Sequence, residues 1–161
     1  MRVLASLGLA TVFLSSAVLG QGQAPAHAAH KPAAPALKWG PAPPVFPAGA
    51  KMAVLQGDPS QAEMFTVRLD FPPNYTIAAH YHPTDEHITV ISGTLLVGMG
   101  DKADFTNPIA LPTGGFITAP ARANHFARAR GRTVVQVHAM GPFSLTYVNP
   151  ADDPQKQASS R

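Results

Sequence analysis

The chain has no cysteine at all. That excludes disulfides, thiolate metal ligands, and a lipid anchor on a processed cysteine. Long hydrophobic runs are also missing beyond Val3 to Leu19. That run is short for a bilayer span. Basic excess is slight, with a formal net charge of +3. The densest basic cluster is Arg122, Arg128, Arg130 and Arg132, and few aromatics stand beside it to stack bases. Strand alternation puts Arg128 and Arg130 on one solvated face, so no nucleic-acid partner is expected. Finally, no long stretch has helical periodicity, which excludes a helical bundle.

What is present begins with a leader. Met1-Arg2, the apolar run and Ala26-His27-Ala28 have the charge, core and small-residue spacing of a secretory signal over residues 1–28. An exported, periplasmic or secreted protein is expected, with no stable membrane association after cleavage. Residues 29–50 are rich in alanine and proline, which suit neither a helix nor a central strand. They read as a linker and N-terminal arm, becoming ordered near Trp39 to Phe46, where both aromatics are expected to pack on the domain surface.

From Lys51 the pattern changes to short apolar runs separated by Gly, Pro, Asn and Asp. The runs are Met52 to Gln56, Met64 to Phe71, Tyr75 to His82, His87 to Ser92 and Thr94 to Met99. They continue with Pro108 to Leu111, Phe116 to Ala119, His125 to Arg130, Thr133 to Met140 and Phe143 to Val148. This spacing predicts an all-β sandwich or barrel over residues 51–148. Residues 149–161 read as a loose polar tail.

The chemistry concentrates at His80-Tyr-His82-Pro-Thr-Asp-Glu86. On a strand, residues i and i+2 face the same side, so His80 and His82 can aim at one point. Glu86 can reach it if the chain turns or continues as a neighbouring strand. His125 is a further candidate. Two imidazoles and a carboxylate suit a first-row transition metal. By strict alternation, Thr76 and Ala78 share the inward face of His80, and small Ala127 and Ala129 sit beside His125. Tyr81, Phe126 and His87 are expected to point away. His27 and His30 fall in the leader and linker. Gln136 and His138 share one face of their strand, opposite Val135, Val137 and Ala139. If that face lines the barrel, they are the candidates for catalytic support, as hydrogen-bonding groups or a proton relay.

The spacing His-x-His-x3-Glu-x6-Gly, met by His80, His82, Glu86 and Gly93, resembles the first motif of the cupins. Gly114-x5-Pro120 followed by His125 resembles their second motif. The resemblance covers about residues 50 to 148. It is closest to small secreted bacterial single-domain cupins, in which a Gly-Asp-Pro loop, here Gly57-Asp58-Pro59, precedes the metal strand. It implies a cupin-type double-stranded β-helix (jelly-roll barrel) with a metal inside. The implied ligands are His80, His82, Glu86 and His125, holding one divalent transition metal, whether Fe, Mn, Zn, Ni or Cu. Asn74 replaces the first motif's opening Gly, Arg122 the Gly of Pro-x-Gly, and Ala129 the closing Asn. None of these changes removes a ligand. Three readings stay open on a small-molecule substrate or ligand: a metal-dependent dioxygenase, a metal-dependent isomerase, and a non-catalytic binding module. The resemblance also implies that the chain can form a homodimer.

Overall fold

The computed structural model of the protein describes residues 36–158, so the leader, with His27 and His30, lies outside the described residues. Eleven strands follow in chain order. They are β1 (Gly40–Pro41), β2 (Lys51–Gln56), β3 (Met64–Phe71), β4 (Thr76–Tyr81) and β5 (Glu86–Ser92). After them come β6 (Thr94–Met99), β7 (Ile109–Pro112), β8 (Phe116–Ala119), β9 (His125–Ala129), β10 (Thr133–Met140) and β11 (Thr146–Tyr147). The strands form two antiparallel sheets. One has the order β1-β2-β3-β10-β5-β8 and the other β11-β4-β9-β6-β7. This is the all-β jelly-roll arrangement expected from the sequence. The polar tail is more ordered than expected. It forms a 3-10 turn at Pro150–Asp152, capped by the Asn149 side chain, and a short helix α1 (Pro154–Ala158).

The core lies between the sheets and follows from the period of two along each strand. Phe65, Val67, Leu69 and Phe71 of β3 point inward, beside Val135, Val137 and Ala139 of β10 and Ile88 and Val90 of β5. Ile77, Leu95, Val97, Ala127 and Ala129 face them from the second sheet. Each such fully buried Val, Leu, Ile or Phe contributes roughly 1.5–3 kcal/mol. This packing stands in for the crosslinks that a cysteine-free chain cannot form.

Alternation breaks in β4. The register against β9 shifts between Ile77 and His80. This bulge corrects the expected facing: Ile77 joins the core, while Thr76 accepts a hydrogen bond from Nε of Arg128. One extra residue in a strand reverses the parity of everything before it. Ala127 and Ala129 do face inward, as alternation requires.

Two turns use residues with side chains where glycine would be easiest. Asn74 has φ 60° after Pro72-Pro73, and Arg122 has φ 62° before β9. Asparagine tolerates the left-handed region better than most residues. Arg122 has no such excuse, yet its N–H donates to His82 O at 2.8 Å, which ties the turn to the end of β4.

The arm is anchored. β1 pairs with β2, and the Tyr147 hydroxyl donates to Val45 O at 2.9 Å. The Tyr75 hydroxyl donates to Pro47 O. Burial is the main cause pushing both phenols up, so both stay protonated donors. Phe46 does not lie on the surface as expected. Held between the two tethers, it packs half-buried against the core.

Candidate metal centre

His80 lies in β4, His82 just beyond its end, and His125 opens β9. β4 and β9 are neighbours, with His80 opposite His125. Glu86 opens β5 in the facing sheet. The intervening Pro83-Thr84-Asp85 carries the chain from one sheet to the other. Thr84 Oγ1 donates to Met140 O at 2.8 Å, and Asp85 Oδ1 accepts from the Ala121 N–H at 2.7 Å. Both bonds fix the crossing that delivers Glu86.

The structure brings all four sequence candidates together. The ligating atoms of His80, His82 and His125 lie within 4.8 Å of one another, so the triad could hold a metal ion. Glu86 Oε2 is 3.4 Å from Nε2 of both His82 and His125. All four residues are buried.

Each ring is oriented by a backbone carbonyl. Nδ1 of His80 bonds Ala78 O at 2.7 Å, Nδ1 of His82 bonds Ser144 O at 2.8 Å, and Nδ1 of His125 bonds Ala123 O at 2.9 Å. A carbonyl only accepts, so Nδ1 carries the proton and the neutral ring turns an Nε2 lone pair inward. Nε2 of His82 and of His125 are buried with no hydrogen-bond partner. An orphaned buried polar atom costs roughly 1–3 kcal/mol. Lone pairs facing a carboxylate repel it unless a cation lies between them. Three imidazoles and one carboxylate, without thiolate, are a donor set for a divalent transition metal. The residues therefore fit such an ion.

A proton on an imidazole can take the cation's place between these groups, and the electrostatics follow from that. Burial, and then the neighbouring His125 and His82, push His80 down to about 3, so it stays neutral. Burial alone would raise Glu86. Its contacts with His125 and His82 outweigh burial and hold the carboxyl well below its usual range. Burial likewise opposes protonation of His125, but Glu86 beside it raises its pKa.

Two cavities meet at Glu86. The inner one, about 30 Å³, is lined by the four site residues and by core side chains such as Ile77, Leu95 and Ala127. The outer one, about 140 Å³, lies among the arm, β3 and Phe143 to Leu145. Phe143 stacks on His82, with centroids 4.3 Å apart and planes at 19°. Sequence reasoning missed Phe46, Phe143 and Leu145 as walls. It also missed the carbonyls of Ala78, Ala123 and Ser144, for which no side-chain signal exists.

Gln136 and His138 do not line either cavity. This corrects their candidacy for catalytic support. The inward face of β10 is taken by Val135, Val137 and Ala139, so the opposite parity lies outside the barrel. There His138 Nδ1 bonds Thr66 Oγ1 at 2.9 Å and its Nε2 meets the Gln136 amide at 3.1 Å, while Arg68 Nε donates to Gln136 Oε1. His87 points away from Glu86 as expected and meets Thr118 Oγ1 at 3.0 Å. Phe126 also points out of the barrel, yet it is buried. Its ring lies over Gly98, and Phe105 packs edge-on at 4.9 Å.

Comparison with known proteins agrees with this geometry. Residues 67–141 match the cupin domain family. Among solved structures, the polyketide cyclase RemF from Streptomyces resistomycificus is similar with a TM-score of 0.60 and 17% identity, over 76% of this chain and 87% of that one. A provisionally assigned acetylacetone dioxygenase from Methylibium petroleiphilum gives 0.57 and 22%, over 73% and 79%. An RmlC-like cupin from Shewanella frigidimarina gives 0.51 and 16%, over 66% and 86%. At such identities the likeness is one of fold. No curated protein matches the chain in sequence. The sheet order and the histidine triad between the sheets agree with the family match: over residues 67–141, somewhat under half of the chain, the sequence is similar to the cupin domain family.

Proposed function

We propose that this protein is an exported metal-dependent oxidoreductase of the dioxygenase type, acting on a small organic substrate, with Glu86 as fourth ligand beside the histidine triad. The observation that carries the reading is the pair of orphaned Nε2 atoms facing Glu86 in the wall of a largely apolar cavity. When bound, a redox-active divalent metal supplies the electron-transfer chemistry that lets an organic substrate react with O2. The chain's own residues do the rest. The Ala78, Ser144 and Ala123 carbonyls lock the rings, which keeps the site preorganised. Glu86 offsets part of the ion's charge in a medium that cannot solvate it. Phe46, Phe143 and Leu145 keep bulk water off the site.

Metal-assisted isomerisation needs a separate base to move a proton. Among the described residues lining both cavities, the site residues are the only titratable groups. That favours the oxidative reading over an isomerase. The same scarcity of partners also suits a binding module, and one assay separates the two. Fe(II)-loaded protein with a panel of small neutral organic substrates is expected to consume O2 in a substrate-dependent way. Saturable binding without O2 consumption would replace the enzyme with a binding module, and anaerobic turnover with zinc would replace it with an isomerase. Export rests on the leader pattern of residues 1–28, and mass spectrometry of the mature N-terminus tests it. An intact Met1 terminus would contradict it.

A further inference from the structure

We propose that Phe46, carried by the arm, is the residue that sets the size of ligand this site accepts. The inference rests on the metal reading above and names a specificity-determining residue for that site. Three observations carry it. The first is position. The inner cavity, which holds the four site residues, and the outer cavity share five lining residues: Phe46, Leu69, Glu86, Val137 and Leu145. Phe46 therefore borders both the space beside the ligating atoms and the space beyond it. The second is room. The inner cavity is about 30 Å³ and the outer one about 140 Å³. A water's share of liquid volume is about 30 Å³, and an apolar void of roughly 150 Å³ takes benzene. An organic ligand bound at the histidine cluster thus has to extend past the wall between the two cavities, and that wall limits its girth. The third is how Phe46 is held. Leu69, Val137 and Glu86 sit on β3, β10 and β5, neighbours in one hydrogen-bonded sheet. Phe46 belongs to no strand, yet its backbone is fixed on both sides. Its own N–H donates to Pro43 O at 2.9 Å, while the Tyr147 and Tyr75 hydroxyls donate to Val45 O and Pro47 O. Both tyrosines are referenced to the strand that carries His80: Tyr147 pairs opposite His80, and Tyr75 immediately precedes β4. The tethers thus set the Phe46 ring relative to His80. Leu145, the other loop residue in the wall, adjoins Ser144, whose carbonyl orients His82. That leaves Phe46 as the wall residue whose size can vary without disturbing a strand or a ligating ring, and loops on a rigid scaffold are where specificity is carried.

The test loads the full-length chain with cobalt(II) and titrates it with acetohydroxamate and 2-naphthohydroxamate, reading the visible cobalt bands. The two probes carry the same chelating head, so only girth differs. The parent is expected to bind the naphthyl probe at least about tenfold more weakly than the acetyl probe, the scale of overpacking a tight wall. Phe46→Ala is expected to narrow that gap at least about tenfold. Phe46→Leu keeps an apolar wall, covers the case in which the alanine variant does not fold, and is expected to narrow the gap by less. Met52→Ala is the control. Met52 lines the outer cavity and not the inner one, so its truncation adds room without opening the wall, and the gap is expected to stay. A parent that binds both probes alike, an unchanged gap in both Phe46 variants, or an equal narrowing in Met52→Ala would each overturn the inference. If cobalt does not load, the metal reading falls. The role of Phe46 is then decided by benzene and naphthalene, read on the Leu69 and Val137 methyl signals by NMR, with the same outcomes for and against.

Discussion

Gly93 and Gly114, the glycines of the two sequence motifs, have nearly the same backbone conformation, with φ of 85° and 84°. Their surroundings differ. A Cβ on Gly93 would lie 2.5 Å from Arg132 O and 2.7 Å from Thr133 Oγ1, whereas one on Gly114 would meet nothing within 4 Å. Alanine in the left-handed region costs roughly 1–2 kcal/mol. Loss of glycine's freedom in the unfolded chain offsets about 0.4–1 kcal/mol of that. Gly114→Ala should therefore cost about 0.5–1 kcal/mol. Gly93→Ala adds overpacking of roughly 1–3 kcal/mol. The added strain falls on Thr133, fully buried, whose Oγ1 hydroxyl lies within hydrogen-bond reach of both Thr94 O and Gly131 O. Its total should be about 2–4 kcal/mol. Urea unfolding of both variants beside the parent measures the difference directly. Equal costs would show that the close approach at Gly93 does not exist. Two neutral variants would refute the backbone conformations themselves.

Two further perturbations test other parts of the account. The Arg132 guanidinium beside Asp70, at 2.6 Å, holds that carboxyl below its ordinary value of 3.8. A depressed carboxylate stabilises the fold above its unfolded pKa, and the gain is lost as pH falls through the folded pKa. Arg132→Ala should thus lower the urea midpoint at pH 7, with the difference lost in acid as the pH falls below 3.8 and through the lowered pKa of Asp70. A gap that persists in acid would contradict the ion pair. His138→Ala should leave metal content unchanged and cost about 1 kcal/mol from its bond to Thr66. Metal loss in that variant would restore His138 to the site.

Much of the architecture was legible in the sequence because turn residues punctuate it closely. Met64 to Phe71, Thr94 to Met99, Phe116 to Ala119 and Thr133 to Met140 occur as strands with the expected bounds. The histidine cluster was legible for the same reason, since residue i and i+2 parity survives between His80 and His82. Parity misled where a bulge intervened: Ile77, rather than Thr76, joins the core, while Ala78 packs against it. The burial of Phe126 depends on the missing side chain of Gly98 across the sheet, a pairing that only register reveals. Phe46 lies in a proline-rich stretch with no strand pattern. Its place under the tethers of Tyr75 and Tyr147 is a long-range fact without a local signature. Likewise Arg122 gives no sign in sequence of a left-handed conformation, although the turn motif it interrupts does.

The central claim is that His80, His82, Glu86 and His125 hold one divalent metal between the two sheets. Elemental analysis of the purified chain beside His82→Ala and His125→Ala tests it most directly. The account predicts one transition metal per parent chain and its loss from both variants, each still folded by circular dichroism. Unchanged metal content in both variants would contradict it.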